Sequence, residues 1–140
     1  MAAKIVTRGL RRIGVQASQA TGTIPYNVAR HIQTMSVDDS SVAFAAGDTA
    51  LNSGGAVTNE FDAAFDGTPT ETGAIVTGVM TIPTGSGNFT IRRIALHDDT
   101  DTNVTTSSTT LVGGIDGQSL AKTSDFTLAF TVTIAYADAS

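Results

Sequence analysis

The sequence predicts a mainly β fold: an antiparallel β-sandwich or jelly-roll-like body over residues 29–140, preceded by a basic N-terminal arm over residues 1–28 with a short helix. Three observations carry that prediction. The first is an unbroken two-residue alternation near the C-terminus. Phe126, Leu128, Phe130, Val132, Ile134 and Tyr136 hold every even position, with Thr127, Ala129, Thr131, Thr133 and Ala135 between them. A period of two sorts these side chains onto opposite faces of a strand about 35 Å long, whereas a helix would scatter them. The second is composition: 140 residues, 41% hydrophobic, only 15% charged and 23 of them Thr. That is enough chain for one domain with a buried core. Charge is well below the usual ~25%, so disorder is disfavoured and β-branched residues are favoured. The third is turn chemistry between short apolar runs, which implies several strands stacked in layers.

Taken in order, residues 4–19 suit a short helix, with Val6, Leu10 and Ile13 at helical spacing and Thr7 as N-cap. Gly9 and Gly14 weaken it by up to ~1 kcal/mol each. Residues 20–25 form a linker or extended arm, because Pro25 biases Ile24 away from helix. Residues 29–37, with Ile32, Met35 and Val37, read as a first strand, and residues 40–55 as loop. Residues 74–82 read as a strand with apolar residues on both faces. The turn cluster Pro83-Thr84-Gly85-Ser86-Gly87-Asn88 should return it as a hairpin through residues 89–96. Phe89 and Ile91 share one parity, Ile94 and Leu96 the other, so a bulge is expected near Arg92-Arg93. Residues 98–108 form a polar tip, and residues 109–112 a short strand that stops at Gly113-Gly114. The long final strand carries no charge between Phe126 and Ala137. Exposed edge strands usually carry Lys or Pro. It is therefore either central in its sheet, the preferred reading because it needs no partner, or covered by another subunit.

Charge is divided along the chain. The net value is −5, yet residues 1–37 carry Lys4, Arg8, Arg11, Arg12 and Arg30 and no acid. Residues 38–140 carry 13 acids against Arg92, Arg93 and Lys122. A +5 leader on a −10 body suits an arm that reaches an acidic partner, or one that folds back on its own body. Nucleic acid is the weaker reading, because no aromatic is interleaved with the basic cluster to stack on bases.

Candidate chemistry is sparse. There is no Cys, which removes disulfides, thiolate zinc sites and thiol catalysis. No apolar run of 18 residues predicts a membrane helix, and the opening residues lack the apolar region of a signal peptide. No Walker loop, nucleophile elbow or HExxH motif occurs. His97-Asp98-Asp99-Thr100-Asp101-Thr102-Asn103 offers alternating oxygens, but an EF-hand would need Gly at Val104 and Glu at Thr110. Residues 84–88 lie between strands rather than before a helix, so a turn is favoured over a phosphate loop. The sequons at Asn88 and Asn103 carry little weight without a secretory leader. Neither enzyme activity nor a cofactor or metal is expected.

Three segments together resemble a group of small virion structural proteins of tailed bacteriophages, the decoration and tail-fibre-associated proteins. They are Lys4-Ile5-Val6-Thr7-Arg8-Gly9-Leu10, then Ser41 to Leu51 with its Ala45-Ala46-Gly47-Asp48-Thr49-Ala50-Leu51 loop, then Ile94-Ala95-Leu96-His97-Asp98 followed by the closing alternating strand. Arg11-Arg12 and Arg92-Arg93 depart from the group's usual neutral residues.

The resemblance implies a capsid decoration (cement) protein on the virion surface, assembled in the bacterial host cytoplasm. Its partners would be the major capsid protein and copies of itself, as dimer or trimer, with no membrane. Lys4, Val6, Arg8, Leu10, Arg11 and Arg12 are the candidate capsid contacts. Exposed ion pairs contribute only ~0–1 kcal/mol each, so the apolar members should contribute more. The alternative is a tail-fibre-associated or baseplate adaptor protein. A carbohydrate-binding β-sandwich module is a third reading, weakened by the absence of Trp.

Overall fold

The pattern Thr34-Met35-Ser36-Val37-Asp38 alternates polar and apolar residues, and the fold is organised around its two faces. The computed structural model describes residues 3–5, 34–67, 70–72, 75–97 and 105–135. Among these, every regular element is a strand: β1 (Ala3–Ile5), β2 (Thr34–Asp38), β3 (Glu60–Ala64), β4 (Thr70–Thr72), β5 (Ile75–Ile82), β6 (Thr90–Ile91), β7 (Arg93–His97), β8 (Leu111–Ile115), β9 (Leu120–Ala121) and β10 (Leu128–Ala135). They form a five-stranded sheet in the order β1-β8-β7-β2-β3, a three-stranded sheet β10-β5-β4 and a two-stranded sheet β6-β9. All pairings are antiparallel.

Register places the core. Met35 lies between Ala63 and Leu96, and Val37 between Phe61 and Ile94, so one face of the five-stranded sheet is apolar. It packs against Met80 and Ile82 of β5, Ile91 of β6, and Leu128, Phe130 and Val132 of β10. Met35, Val37, Met80, Ile82 and Ile91 are fully buried, and each such side chain contributes about 1.5–3 kcal/mol. Val132 pairs with Gly78. The Phe65 ring occupies the space a side chain at Gly78 would need, coming within 2.8 Å of where its Cβ would stand.

The expected mainly β, antiparallel character is present, but several pairings differ from expectation. The turn over residues 83–88 forms, with Ser86 N–H donating to Pro83 O (3.2 Å) and Gly87 at φ +62°. The strands flanking it do not make a hairpin. β5 pairs along its whole length with β10, and β6 pairs with β9 instead. β5 instead makes an eight-residue ladder with β10 in which apolar residues pair with apolar ones at Leu128–Ile82, Phe130–Met80 and Ile134–Val76.

The parity change near Arg92-Arg93 is real, but it is a strand break rather than a bulge within one strand. Arg92 separates β6 from β7, so that Ile91 and Ile94 both face the core. A register irregularity instead lies between Leu96 and His97 against β8. Gly113-Gly114 does not end β8, which runs through to Ile115. Lys4 and Ile5, where the helix was expected to begin, are extended in β1 and pair with Gly114 and Gly113. The remainder of that helix, residues 6–19, and the strand positions 29–33 lie outside the described residues. β10 is not central: among the described residues its only neighbour is β5, which leaves it at the edge.

Candidate functional site: a buried polar face and an open strand edge

The other face of the five-stranded sheet is polar and nevertheless buried. Thr34, Ser36 and Asp38 of β2 stand beside Ala64, Asp62 and Glu60 of β3 and beside His97, Ala95 and Arg93 of β7. Loop 39–59 covers this face. Its apolar anchors Phe44, Leu51 and Val57 pack with Ala95 and Leu111 in a second cluster. The loop is closed at its base by Asp39, whose carboxylate accepts from Thr58 N (3.1 Å), Asn59 N (3.1 Å) and Asn59 Nδ2 (2.6 Å). Burial alone would raise the Asp39 carboxyl, but these donors hold it below the ordinary aspartate value. Further ties run from Phe44 N to Asp116 Oδ2 (2.8 Å), from Asn52 N to Thr106 O (3.0 Å) and from Leu111 N to Thr49 O (3.2 Å).

At the centre lies an ion pair. Arg93 is 1% exposed and Asp38 0%, with Nε at 2.8 Å from Oδ1 and 3.1 Å from Oδ2. The guanidinium also donates to Val42 O (3.2 Å) and Leu51 O (2.7 Å), so it ties the sheet to both arms of the loop. Its Cζ stands 4.5 Å from the centroid of Phe44, a cation–π contact in a site shielded from water. Gly114 makes this possible. A Cβ there would meet Phe44 Cε2 at 2.6 Å and collide with the Ile94 carbonyl oxygen. Burial pushes the Asp38 carboxyl above its ordinary value, and Arg93 and the Ser40 amide pull it partly back.

Two neighbouring groups extend the row. His97 Nε2 lies 2.8 Å from Ser36 Oγ and Nδ1 lies 3.0 Å from Thr110 Oγ1, so both ring nitrogens are engaged. The Ser–His pairing has the atoms of a nucleophile and base, but both residues are fully buried and the pair joins strands rather than facing a cleft. Glu60 is half-buried, and its Oε1 has no hydrogen-bond partner. Burial, followed by the charges of Asp62 and Asp38, raises its carboxyl to about 7. Among the described residues no group of three or more His, Asp or Glu side chains is arranged to hold a metal.

A separate cation, Lys122, is also buried. Its Nζ donates to Pro83 O (3.1 Å), Asn88 Oδ1 (3.1 Å) and Thr123 O (2.8 Å), fastening the 83–88 turn to the end of β9.

The surface feature that stands out is the edge of β10. Leu128, Phe130 and Val132 point toward the core but stay half-buried, while Ala129, Thr131 and Thr133 are exposed. Phe126, just before the strand, is 41% exposed.

Of the candidate capsid contacts, Lys4 lies in β1 at the margin of the five-stranded sheet. Val6, Arg8, Leu10, Arg11 and Arg12 lie outside the described residues, as do residues 98–104 of the expected polar tip 98–108. Sequence reasoning missed the structural weight of Asp38, Arg93, His97, Glu60 and Lys122. The alternation in residues 34–38 was a signal for the first, but alternation says which face is polar and not whether a loop covers it. Comparison with protein-family models, with curated proteins and with solved structures finds no match in any of the three.

Proposed function

We propose that this chain is a bacteriophage virion structural protein, a capsid decoration protein that binds between major capsid protein subunits and stabilises the head. In this reading the two main sheets are the layers of a β-sandwich or jelly-roll-like body that includes β1, and the rest of the basic segment through residue 28 is its arm. The observation that carries the reading is a contrast in how polar groups are used. Arg93, Asp38, His97 and Lys122 serve internal fastening, whereas the longest open strand edge among the described residues, that of β10, is neutral. A molecule so arranged is suited to contact with neighbours rather than to chemistry on a small substrate. The three-segment resemblance to decoration and tail-fibre-associated proteins supports the same class.

The mechanism is linkage. A protein that binds only the assembled shell stabilises it by about 2.7 kcal/mol per site at a hundredfold excess over Kd. Repeated over the shell, this opposes pressure from packaged DNA. A tail-fibre-associated or baseplate adaptor role is the second reading, because an adaptor needs the same arm and body. Copy number separates them: stained gels of purified virions should show this chain at near-capsid abundance. A band corresponding to a handful of copies would replace the head assignment with the tail one, and absence from virions would end both.

A further inference from the structure

Among the described residues, the sheet edges other than β10 are protected against further pairing. β1 and β4 are three residues long and include Lys4 and Glu71, and β3 includes Glu60 and Asp62. The β6-β9 sheet has only two residues per strand. Shortness and charge are the usual devices that keep edges from recruiting another chain. β10 has neither. It is eight residues long, without charge, Pro or Gly, and is bonded on one side to β5. In an antiparallel pair every second residue turns both its N–H and its C=O away from the partner. Among the described residues nothing pairs with the other side of β10, so about half of its residues turn their backbone groups outward.

We propose that β10 pairs antiparallel with β10 of a second copy of this chain across a twofold axis, joining two three-stranded sheets into one continuous sheet. The occupant follows from charge. β10 carries neither acid nor base, so two copies of a chain with net charge −5 meet there without opposing like charges, and the edge offers no charge to recruit a partner of opposite sign. A twofold axis makes the contact self-complementary. With Thr131 on the axis, the ladder runs from Leu128 opposite Ile134 through nearly the whole strand. Thr131 then faces Thr131 of the copy on the exposed side, and Phe130 faces Val132 on the core side. Both are favourable cross-strand pairs, one Thr–Thr and one aromatic with β-branched. Between Leu128 and Ile134 the register opposes no like charges, because the strand carries none. The pairing also extends cover over Leu128, Phe130 and Val132. It does not depend on the virion assignment.

The test uses the full chain in solution. Sedimentation across a wide concentration range should show a monomer–dimer equilibrium, and amide exchange along β10 should slow as concentration rises. In Ala129→Lys/Thr131→Lys, the change at 131 sets like charges directly opposite on the axis and the change at 129 adds diagonal ones. The dimer should weaken about tenfold or more. Circular dichroism should stay unchanged. Ala129→Asp/Thr131→Asp should do the same, and mixing the two variants should restore a mixed dimer. The proposal is overturned by a chain that stays monomeric, by a dimer indifferent to both variants, or by a mixture that fails to pair. Slow β10 amides in a concentration-independent monomer would also overturn it, assigning the edge to residues of the same chain. Because the exchange measurement needs no substitution, a variant that misfolds leaves the proposal testable. A dimer in a protein absent from virions, or a monomer abundant in them, separates this inference from the functional one.

Discussion

Replacing Arg93 with Met tests whether the ion pair organises the covered face. The substitution keeps most of the side chain's apolar length and removes three roles together. Asp38, at 0% exposure, loses its cation, and the Val42 and Leu51 carbonyls lose their donor. Breaking one side of a buried pair costs about 3–5 kcal/mol, because the remaining charge is stranded. The two carbonyls would add about 1–3 kcal/mol each if water could not reach them. Loop 39–59 is held over them partly by Arg93 itself, so local opening would admit water and cap the total near ~4–5 kcal/mol. For a chain of this length that lowers Tm by about 10–15 °C, a large part of the roughly 5–15 kcal/mol a domain has. Urea unfolding at neutral pH measures the difference. Asp38→Leu alone should be similarly damaging, whereas Asp38→Leu/Arg93→Met should recover most of the loss by removing both charges. The cost of Arg93→Met should also shrink in acid, where Asp38 takes up a proton. A loss below about 1 kcal/mol, or a double variant as unstable as the sum of the singles, would refute the reasoning.

Two further outcomes follow from the same face. Gly114→Ala should cost about 1–3 kcal/mol, the scale of overpacking a core, because the new methyl meets the Ile94 carbonyl and the Phe44 ring. A denaturation midpoint unchanged from the parent would show that the ring is not seated there. Glu60 titrates at about 7 in the folded chain against an ordinary value of 4.5. The folded state therefore keeps a proton that the unfolded chain has already lost, so its contribution to stability is fullest below about pH 4.5 and declines as pH rises toward 7. Glu60→Gln should flatten that slope and gain about 1–2 kcal/mol above about pH 7, after discounting for partial solvent screening. Thermal melts from about pH 4 to about pH 8 that keep the parent's slope in the variant would exclude Glu60 as its source.

Legibility in the sequence tracked the length of each pattern. The alternation through residues 126–136 located β10 to within two residues at its start, because eight or more residues of one period overwhelm local noise. The run 75–82 was equally readable. β3, β4 and β9 were not anticipated, since strands of two to five residues such as Thr70–Thr72 are made by their partners and carry little pattern of their own. Gly113-Gly114 looked like a terminator because Gly disfavours strands. In place, Gly114 is a required gap, since the distant Phe44 fills the volume that a side chain would take. Lys122 counts in the sequence only as one of the body's three cations, and its three acceptors belong to turns whose meeting no local pattern announces.

The sequence by itself determined a β-rich chain, the inward and outward faces of its longer strands, the turn at residues 83–88 and the neutrality of the last strand. These are properties of neighbouring residues and of a period of two. Only the tertiary structure decided which strands pair, that the polar face of β2 is roofed by a loop, and that β10 stands at an edge. Those outcomes depend on competition among ladders and on contacts between distant segments. The free energy of each is set by how well two remote surfaces fit and exclude water, and neither surface carries that information alone.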